Sequence, residues 1–350
     1  MPSDILFERR GAAGLITLNR PQALNAVSLA MVRALANQLA EWEADAAVTR
    51  VIVTASGGRA FSAGGDLRAL YDLGRAGRYD EALTFWREEY ALNALIKRYR
   101  KPYVALIDGI VMGGGVGVSV HGSHRVAGDR FVFAMPEVGI GFFPDIGATW
   151  FLPRLPGELG AYCALTGERI NAADGMAAGI ATHRVESGRF PELAEALCGT
   201  AAVDATLGAF ARPAGEGPVM AQRSAIDDLF KGGRVEGILA ALDQAVAADG
   251  TRAAFAAATA ALIRTKSPTS LKVALMQMRR GPTLDFEECM RTEFRIVSRV
   301  VRGHDFYEGV RAVIVEKDQA PRWQPPALAA VGDAEVERHF APITDELELP

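Results

Sequence analysis

The sequence predicts an α/β fold followed by a mostly helical C-terminal section. Three observations predict it. Over the first 200 residues, short apolar runs rich in β-branched residues alternate with stretches of helical periodicity, the pattern of a layered α/β core. Two glycine-rich turns, "SAGGDLRAL" and "VMGGGVGVS", each follow such a run and lead toward a helix. After about residue 200 the strand patterns stop and alanine-rich helical patterns take over.

The elements follow in order. "GLITLNR", from Gly14 to Arg20, alternates and reads as a strand, and "RVIVTAS", from Arg50 to Ser56, reads as a buried one. Between them Leu29, Val32, Leu35, Leu39 and Trp42 recur at helical spacing, with Ser28 as N-cap. A second helix begins near Asp66, a residue type suited to a helix start. "YVALIDG" is a buried strand entered through Pro102, and "HRVAGD" and "FVFAM" are short strand candidates. "GTAAVDATLGAFARPAGEGP" reads as a linker, being rich in Ala, Gly and Pro. Beyond it "GILAALDQAVA", "RAAFAAATAALIR", "PTSLKVALMQMRR" and "FEECMRTEFRIVSRVVR" are helical. The chain thus divides into a core over 1–200 and a helical section over 201–350.

Bulk properties exclude several classes. Lys plus Arg number 38 against 42 Asp plus Glu, a net charge of −4, which argues against a nucleic-acid or anionic-membrane binder. The three cysteines, Cys163, Cys198 and Cys289, are far apart and show neither a disulfide framework nor metal-ligand spacing. No apolar run approaches the roughly 18 residues of a membrane helix. The opening "MPSDILFERRGAAG" lacks the apolar stretch of a signal peptide, so a cytoplasmic location is expected.

The two glycine turns carry the first chemical signal. A strand–turn–helix junction points free backbone N–H groups at a ligand. "GGGVGV" fails as a dinucleotide fingerprint, because Val118 stands where the last glycine belongs and no acidic residue follows at the right distance. Tight helix–sheet packing is one remaining reading. An oxyanion hole is the other, with one donor from each turn holding the charge that develops on a carbonyl oxygen. No GxSxG elbow is present, and the five histidines are scattered. His304, Asp305 and Glu308 read as solvated or capping residues rather than a metal cluster, and neither metal nor cofactor is expected.

The turns, together with "NRPQALNAVS", "AMPEVGIGFFPDIGATWFLPRL" and "ALTGERI", resemble the crotonase superfamily, the enoyl-CoA hydratase and isomerase fold. That resemblance implies ββα units in a spiral and an acyl-CoA ligand. It implies oxyanion-hole donors at Gly65 and Gly114. It places the nucleotide near Arg20, Ala23 and Leu24, with Lys101 a looser phosphate candidate, and puts Ala63 and Gly64 beside the substrate. Hydratases of the family use two glutamates. The second matches Glu137, but the first falls at Gly117, which has no carboxylate.

A narrower resemblance, to the 3-hydroxyisobutyryl-CoA hydrolases, spans nearly the whole chain, from "REEYALNALIKRYRKPYVALIDGIVMGGGVGVSVHG" to "RGHDFYEGVRAVIVEKDQAPRWQP". It implies hydrolysis of a short 3-hydroxyacyl-CoA from valine breakdown, with Glu137 and Asp145 as catalytic carboxylates and Glu89 and Gly114 on the substrate. Read from the residues alone, Glu137 and Asp145 are equally turn carboxylates, and Glu89 is one charge on an amphipathic helix. Phe142 and Phe143 are expected to wall the site. The alternative is a hydratase or isomerase working with Glu137 alone. The crotonase fold often associates through its C-terminal helices, and the longer section here is expected to cover that surface, which bears on a possible homo-oligomer.

Overall fold

The computed structural model describes residues 3–349. Among the described residues ten strands form two sheets: β1 (Ile5–Arg10), β2 (Ala13–Leu18), β3 (Arg50–Ala55), β4 (Ala60–Ser62), β5 (Tyr103–Ile107), β6 (Ile110–Met112), β7 (His124–Ala127), β8 (Val132–Ala134), β9 (Ile170–Asn171) and β10 (His183–Arg184). The larger sheet runs β1-β2-β3-β5-β7-β10 and the smaller β4-β6-β8-β9. β1 is antiparallel to β2, and β9 to β8; the other pairs are parallel. Consecutive strands β3/β4, β5/β6 and β7/β8 therefore feed one sheet and then the other. Each pair ends in a turn and helical residues, which is the spiral of ββα units that the sequence resemblance implies.

The large sheet is covered on both faces, as parallel sheets require. Side chains alternate along it with period two. Val51, Val53, Tyr103, Ala105 and Ile107 enter the main core, while Ile52, Val104 and Leu106 enter a second cluster on the opposite face. The helices of the core are α1 (Leu29–Ala44), α2 (Leu67–Arg75), α3 (Tyr79–Lys97), α4 (Gly114–Gly117), α5 (Ala148–Phe151), α6 (Leu159–Thr166), α7 (Ala172–Ala177) and α8 (Phe190–Leu197). Ser28 caps α1 by accepting from the Met31 amide, and Asp66 caps α2 by accepting from the Ala69 amide.

The later helices are α9 (Val203–Phe210), α10 (Pro218–Ala221), α11 (Arg223–Leu229), α12 (Val235–Ala247), α13 (Ala253–Ile263), α14 (Pro268–Arg280), α15 (Phe286–Val300), α16 (His304–Val310) and α17 (Asp333–Phe340). The stretch whose composition reads as a linker contains α9. Val203, Thr206, Leu207 and Phe210 recur at helical spacing there and are buried, three of them in the second cluster. Ala, Gly and Pro around them mask that periodicity. Main-core residues run without a break from Ile16 and Val53 to Phe294, Val297 and Phe340, so α14, α15 and α17 share one interior with the sheets. No helix among the described residues is long and apolar enough to cross a membrane.

Candidate active site

β4 and β6 pair in parallel, so the turns that follow them lie side by side. Val27 pins the first turn: its amide donates to Gly64 O at 2.8 Å, and its carbonyl accepts from the Asp66 amide at 2.9 Å. The second turn needs glycine twice. Gly113 has φ +45°, a left-handed conformation that costs other residues free energy. At Gly114 a Cβ would sit 2.5 Å from Oε1 of Glu89 and 3.2 Å from the Gly65 amide nitrogen. The amides of Gly65 and Gly114 thus come together beside Glu89. Neither donates to an acceptor among the described residues.

Glu89, Glu137 and Asp145 meet in one cavity of about 70 Å³, room for a few heavy atoms. It is lined also by Ala63, Gly64, Gly65, Gly114, Trp86 and Phe142. Glu137 opens a single 3₁₀ turn, Glu137–Ile140, directly after β8 and Pro136. Glu89 reaches the cavity from α3, one turn on from Phe85 and Trp86, which line it too. Asp145 comes from the loop before α5. Phe142 stacks on Trp86, with ring centroids 5.7 Å apart, and walls the cavity. Phe143 is buried behind it rather than lining it.

The expected turn and surface carboxylates are buried: Glu89, Glu137 and Asp145 expose 2, 6 and 4% of their surface. Burial, with the charge of Asp145 second, pushes the carboxyls of Glu89 and Glu137 well above the usual range. Burial raises Asp145 to about 7, against the hydrogen bond it accepts from Tyr90. Oε1 of Glu89 and Oε2 of Glu137 have no hydrogen-bond partner among the described residues. Such atoms await a ligand group. No ion pair neutralises any of the three carboxyls among the described residues.

Other predicted residues stand elsewhere. Ala23 and Leu24 do not line the cavity. Leu24 O accepts from the Ala63 amide at 3.0 Å, so they adjoin its glycine wall from outside. Arg20 is held by Asp66 at 3.0 Å, Asp4 at 3.4 Å and Ala26 O at 2.9 Å. Lys101 is tied to the carbonyls of Trp42 and Asp45, which weakens its case as a phosphate ligand. In the "RGHDFYEGVRA" segment, Glu308 is taken by Arg311, and Asp305 accepts from Ser267 and from the Gln324 amide. Among the described residues no group of three or more His, Cys, Asp or Glu is placed to hold a metal ion.

The position that lacks a carboxylate is filled. A Cβ at Gly117 would lie 2.8 Å from Nδ2 of Asn93 and 3.2 Å from Cβ of Ile146. Asn93, one helical turn beyond Glu89, occupies that volume. Larger hollows, of about 200 Å³ beside Arg234, Lys272 and Arg279 and about 180 Å³ beside Arg299 and His304, have no buried, unpartnered carboxylate oxygen among their described lining residues. The cations of the first are paired with Asp333, Glu236 and Glu158.

Two residues of this region escape sequence reasoning. Tyr90 donates to Asp145, although it reads as one aromatic of an amphipathic helix. Glu293, in the charged string "MRTEFR" of α15, is fully buried and accepts from the backbone amides of Gly147 at 2.7 Å and Thr149 at 2.8 Å. Only its place among apolar neighbours at helical spacing hinted that it faces inward.

The family model for enoyl-CoA hydratase/isomerase matches residues 13–340. A relative from Danio rerio named 3-hydroxyisobutyryl-CoA hydrolase, mitochondrial, is 45% identical over 99% of this chain and 91% of its own length. The Homo sapiens protein of that name is 42% identical over 96% of this chain and 88% of its own length. Among solved structures, one titled carnitinyl-CoA dehydratase from Mycobacterium thermoresistibile superposes with a TM-score of 0.93 at 44% identity, covering 99% of this chain and 98% of that one. One titled enoyl-CoA hydratase from Rhodobacter sphaeroides 2.4.1 gives 0.91 at 37% identity, covering 99% and 100%. With its two-sheet spiral and its match over nearly the whole length, the chain belongs to the enoyl-CoA hydratase/isomerase family.

Proposed function

We propose that the chain hydrolyses the thioester of a short 3-hydroxyacyl-CoA, foremost 3-hydroxyisobutyryl-CoA, to the free 3-hydroxy acid and CoA. The observation that carries this reading is the pairing of buried Glu137 and Asp145 in one small cavity with two free glycine amides. The names of the relatives from Danio rerio and Homo sapiens support it. The amides of Gly65 and Gly114 receive the thioester oxygen as it gains charge. Burial favours the protonated form of Glu137, so the reaction runs through the ionised fraction, which delivers the oxygen nucleophile to the carbonyl carbon. It does so either by attacking as a carboxylate, forming an anhydride that water opens, or by deprotonating a water. The carbon–sulfur bond breaks, and the thiolate leaves as CoA thiol with a proton from Asp145. Glu89, beside Gly114, accepts a hydroxyl of the acyl group.

Two solved neighbours carry dehydratase and hydratase titles, so hydration with Glu137 alone is the competing reading. Asn93 and Ile146 fill the space at Gly117, which leaves no room for a further carboxylate there and counts against it. The three cysteines are free and buried, in keeping with a reducing compartment; the cytoplasm is our reading, while the relatives' printed names say mitochondrial.

The test is paired. Purified protein is given 3-hydroxyisobutyryl-CoA while free thiol is followed, and crotonyl-CoA while loss of the conjugated double bond is followed. Thiol release that vanishes in Glu137→Ala establishes the hydrolase. Double-bond loss without thiol release establishes a hydratase instead. A single turnover in ¹⁸O-water then tests the anhydride route, since label in the protein carboxylate requires an anhydride that water opens at the Glu137 carbonyl.

A further inference from the structure

We infer that Glu293, on α15 in the helical section, is a positioning residue for Asp145. It acts by clamping the backbone amides that follow that side chain. The inference rests on the proposed role of Asp145.

The loop from Pro144 to Thr149 is strained. Ile146 has φ +54° and Gly147 φ +91°. A β-branched residue in the left-handed region is an outlier, and it persists only where its surroundings over-determine it. Here they do. The Nε2–H of His121 donates to Ile146 O at 2.7 Å, its ring kept neutral because burial lowers its pKa to about 4. Nε2 of Gln277, on α14, donates to Pro144 O at 2.9 Å and to Oγ1 of Thr149 at 2.8 Å. Glu293 takes two later amides with its two carboxylate oxygens, Oε2 from Gly147 and Oε1 from Thr149, while the Ala148 amide between them donates to Asp145 O at 3.0 Å. These grips fall on both sides of Asp145, whose own side chain receives Tyr90 at 2.8 Å. Residues from the C-terminal helices thus hold the backbone from which a cavity carboxylate projects. A buried carboxyl that merely filled space would be a costly choice, since an apolar residue of similar size avoids its desolvation. Precise placement is what this arrangement supplies, and misplacement of a reacting group by 1 Å costs roughly 100-fold in rate.

The experiment uses the full chain with Glu293→Gln and Glu293→Asp. Gln at position 293 keeps the shape but sets an N–H₂ donor against a backbone donor. Four quantities are read: melting temperature, kcat and KM for thiol release, and the titration of Asp145 in substrate-free protein by ¹³C-carboxyl NMR, assigned with Asp145→Asn. The titratable groups facing Asp145 are Glu89, Glu137, Tyr90 and Glu293. The expected result for Glu293→Gln is a kcat lower by roughly 100-fold with little change in KM. Its Asp145 midpoint should rise, because the displaced carboxyl loses the hydrogen bond from Tyr90. Glu293→Asp should recover part of kcat. A midpoint that falls would mean that Glu293 acts only through its charge, and overturns the inference. So does an unchanged midpoint with a lowered melting temperature, the signature of a structural residue. If Glu293→Gln does not fold, Glu293→Asp, whose shorter side chain cannot reach both amides, decides by the same rise or its absence. If the wild-type protein releases no thiol, the hydrolase reading fails, while the titration still decides whether Glu293 positions Asp145.

Discussion

The phenolic hydroxyl of Tyr90 donates a 2.8 Å hydrogen bond to Oδ2 of Asp145 in a pocket where both are buried. This bond opposes the effect of burial on Asp145, because it favours the ionised form. It also fixes which oxygen is left to face the cavity. The two residues lie 55 positions apart, so the contact exists only because α3 lies against the loop that leads into α5.

Tyr90→Phe should therefore raise the pKa of Asp145 above its present value of about 7. If Asp145 acts as a proton donor, hydrolysis falls as pH rises through its pKa, and the alkaline limb of the pH–rate profile should move upward in the variant. Loss of one well-placed hydrogen bond should lower kcat by roughly 10-fold, equivalent to about 1.4 kcal/mol. Steady-state thiol release between pH 5 and 9 checks both. An alkaline limb that stays in place would separate Tyr90 from the titration of Asp145.

Gly114→Ala isolates the glycine turn. The backbone at Gly114 does not demand a left-handed residue, so alanine should fold. Its Cβ would press on Oε1 of Glu89 and crowd the Gly65 amide, the groups proposed to receive the substrate. Removal of an oxyanion-hole donor costs roughly 100- to 1000-fold in kcat, and a displaced pair should lose a similar amount. Circular dichroism should resemble wild type, and melting should fall because the Cβ must displace the buried end of Glu89, while thiol release collapses. Near-normal kcat would remove the Gly65–Gly114 pair from the chemistry.

Much of the architecture was legible in the sequence, because periodicity is local. The apolar alternation of β2, β3 and β5, the caps Ser28 and Asp66, and the glycine turns all announce themselves within a few residues. Glu137 and Asp145 were legible only as members of a motif; their burial is a tertiary fact. Glu89 read as solvated from its helix alone and as a substrate residue only through the resemblance, since it is sealed by Gly114 from a turn 25 residues away. Glu293 was illegible for the same reason, since the amides it holds lie 146 and 144 residues away. The misread of α9 is different in kind. There composition outweighed a periodicity that was present in Val203, Thr206, Leu207 and Phe210.

The same buried acids make stability depend on pH in a direction opposite to that of salt-bridged carboxylates. Asp145 is raised to about 7 and Glu293 to about 8, both by burial, while the unfolded chain titrates them in the ordinary carboxylate range. The folded state therefore binds more protons than the unfolded state between those limits. The stabilisation they confer is complete below the unfolded pKa and is lost as pH rises through 7 and 8. The melting temperature should fall between pH 5 and pH 8.5. Asp145→Asn, which cannot ionise but still accepts from Tyr90, should fall less and should melt above wild type at pH 8.5. Calorimetry across that range checks the slope. A flat wild-type profile would mean that water or a rearranged loop relieves the buried charge. A steep profile that persists in Asp145→Asn would assign the effect to Glu293, Glu137 and Glu89 instead. The expected pattern, a variant more stable and less active than wild type, would show that the cavity holds its carboxylates at a cost to the fold that the reaction requires.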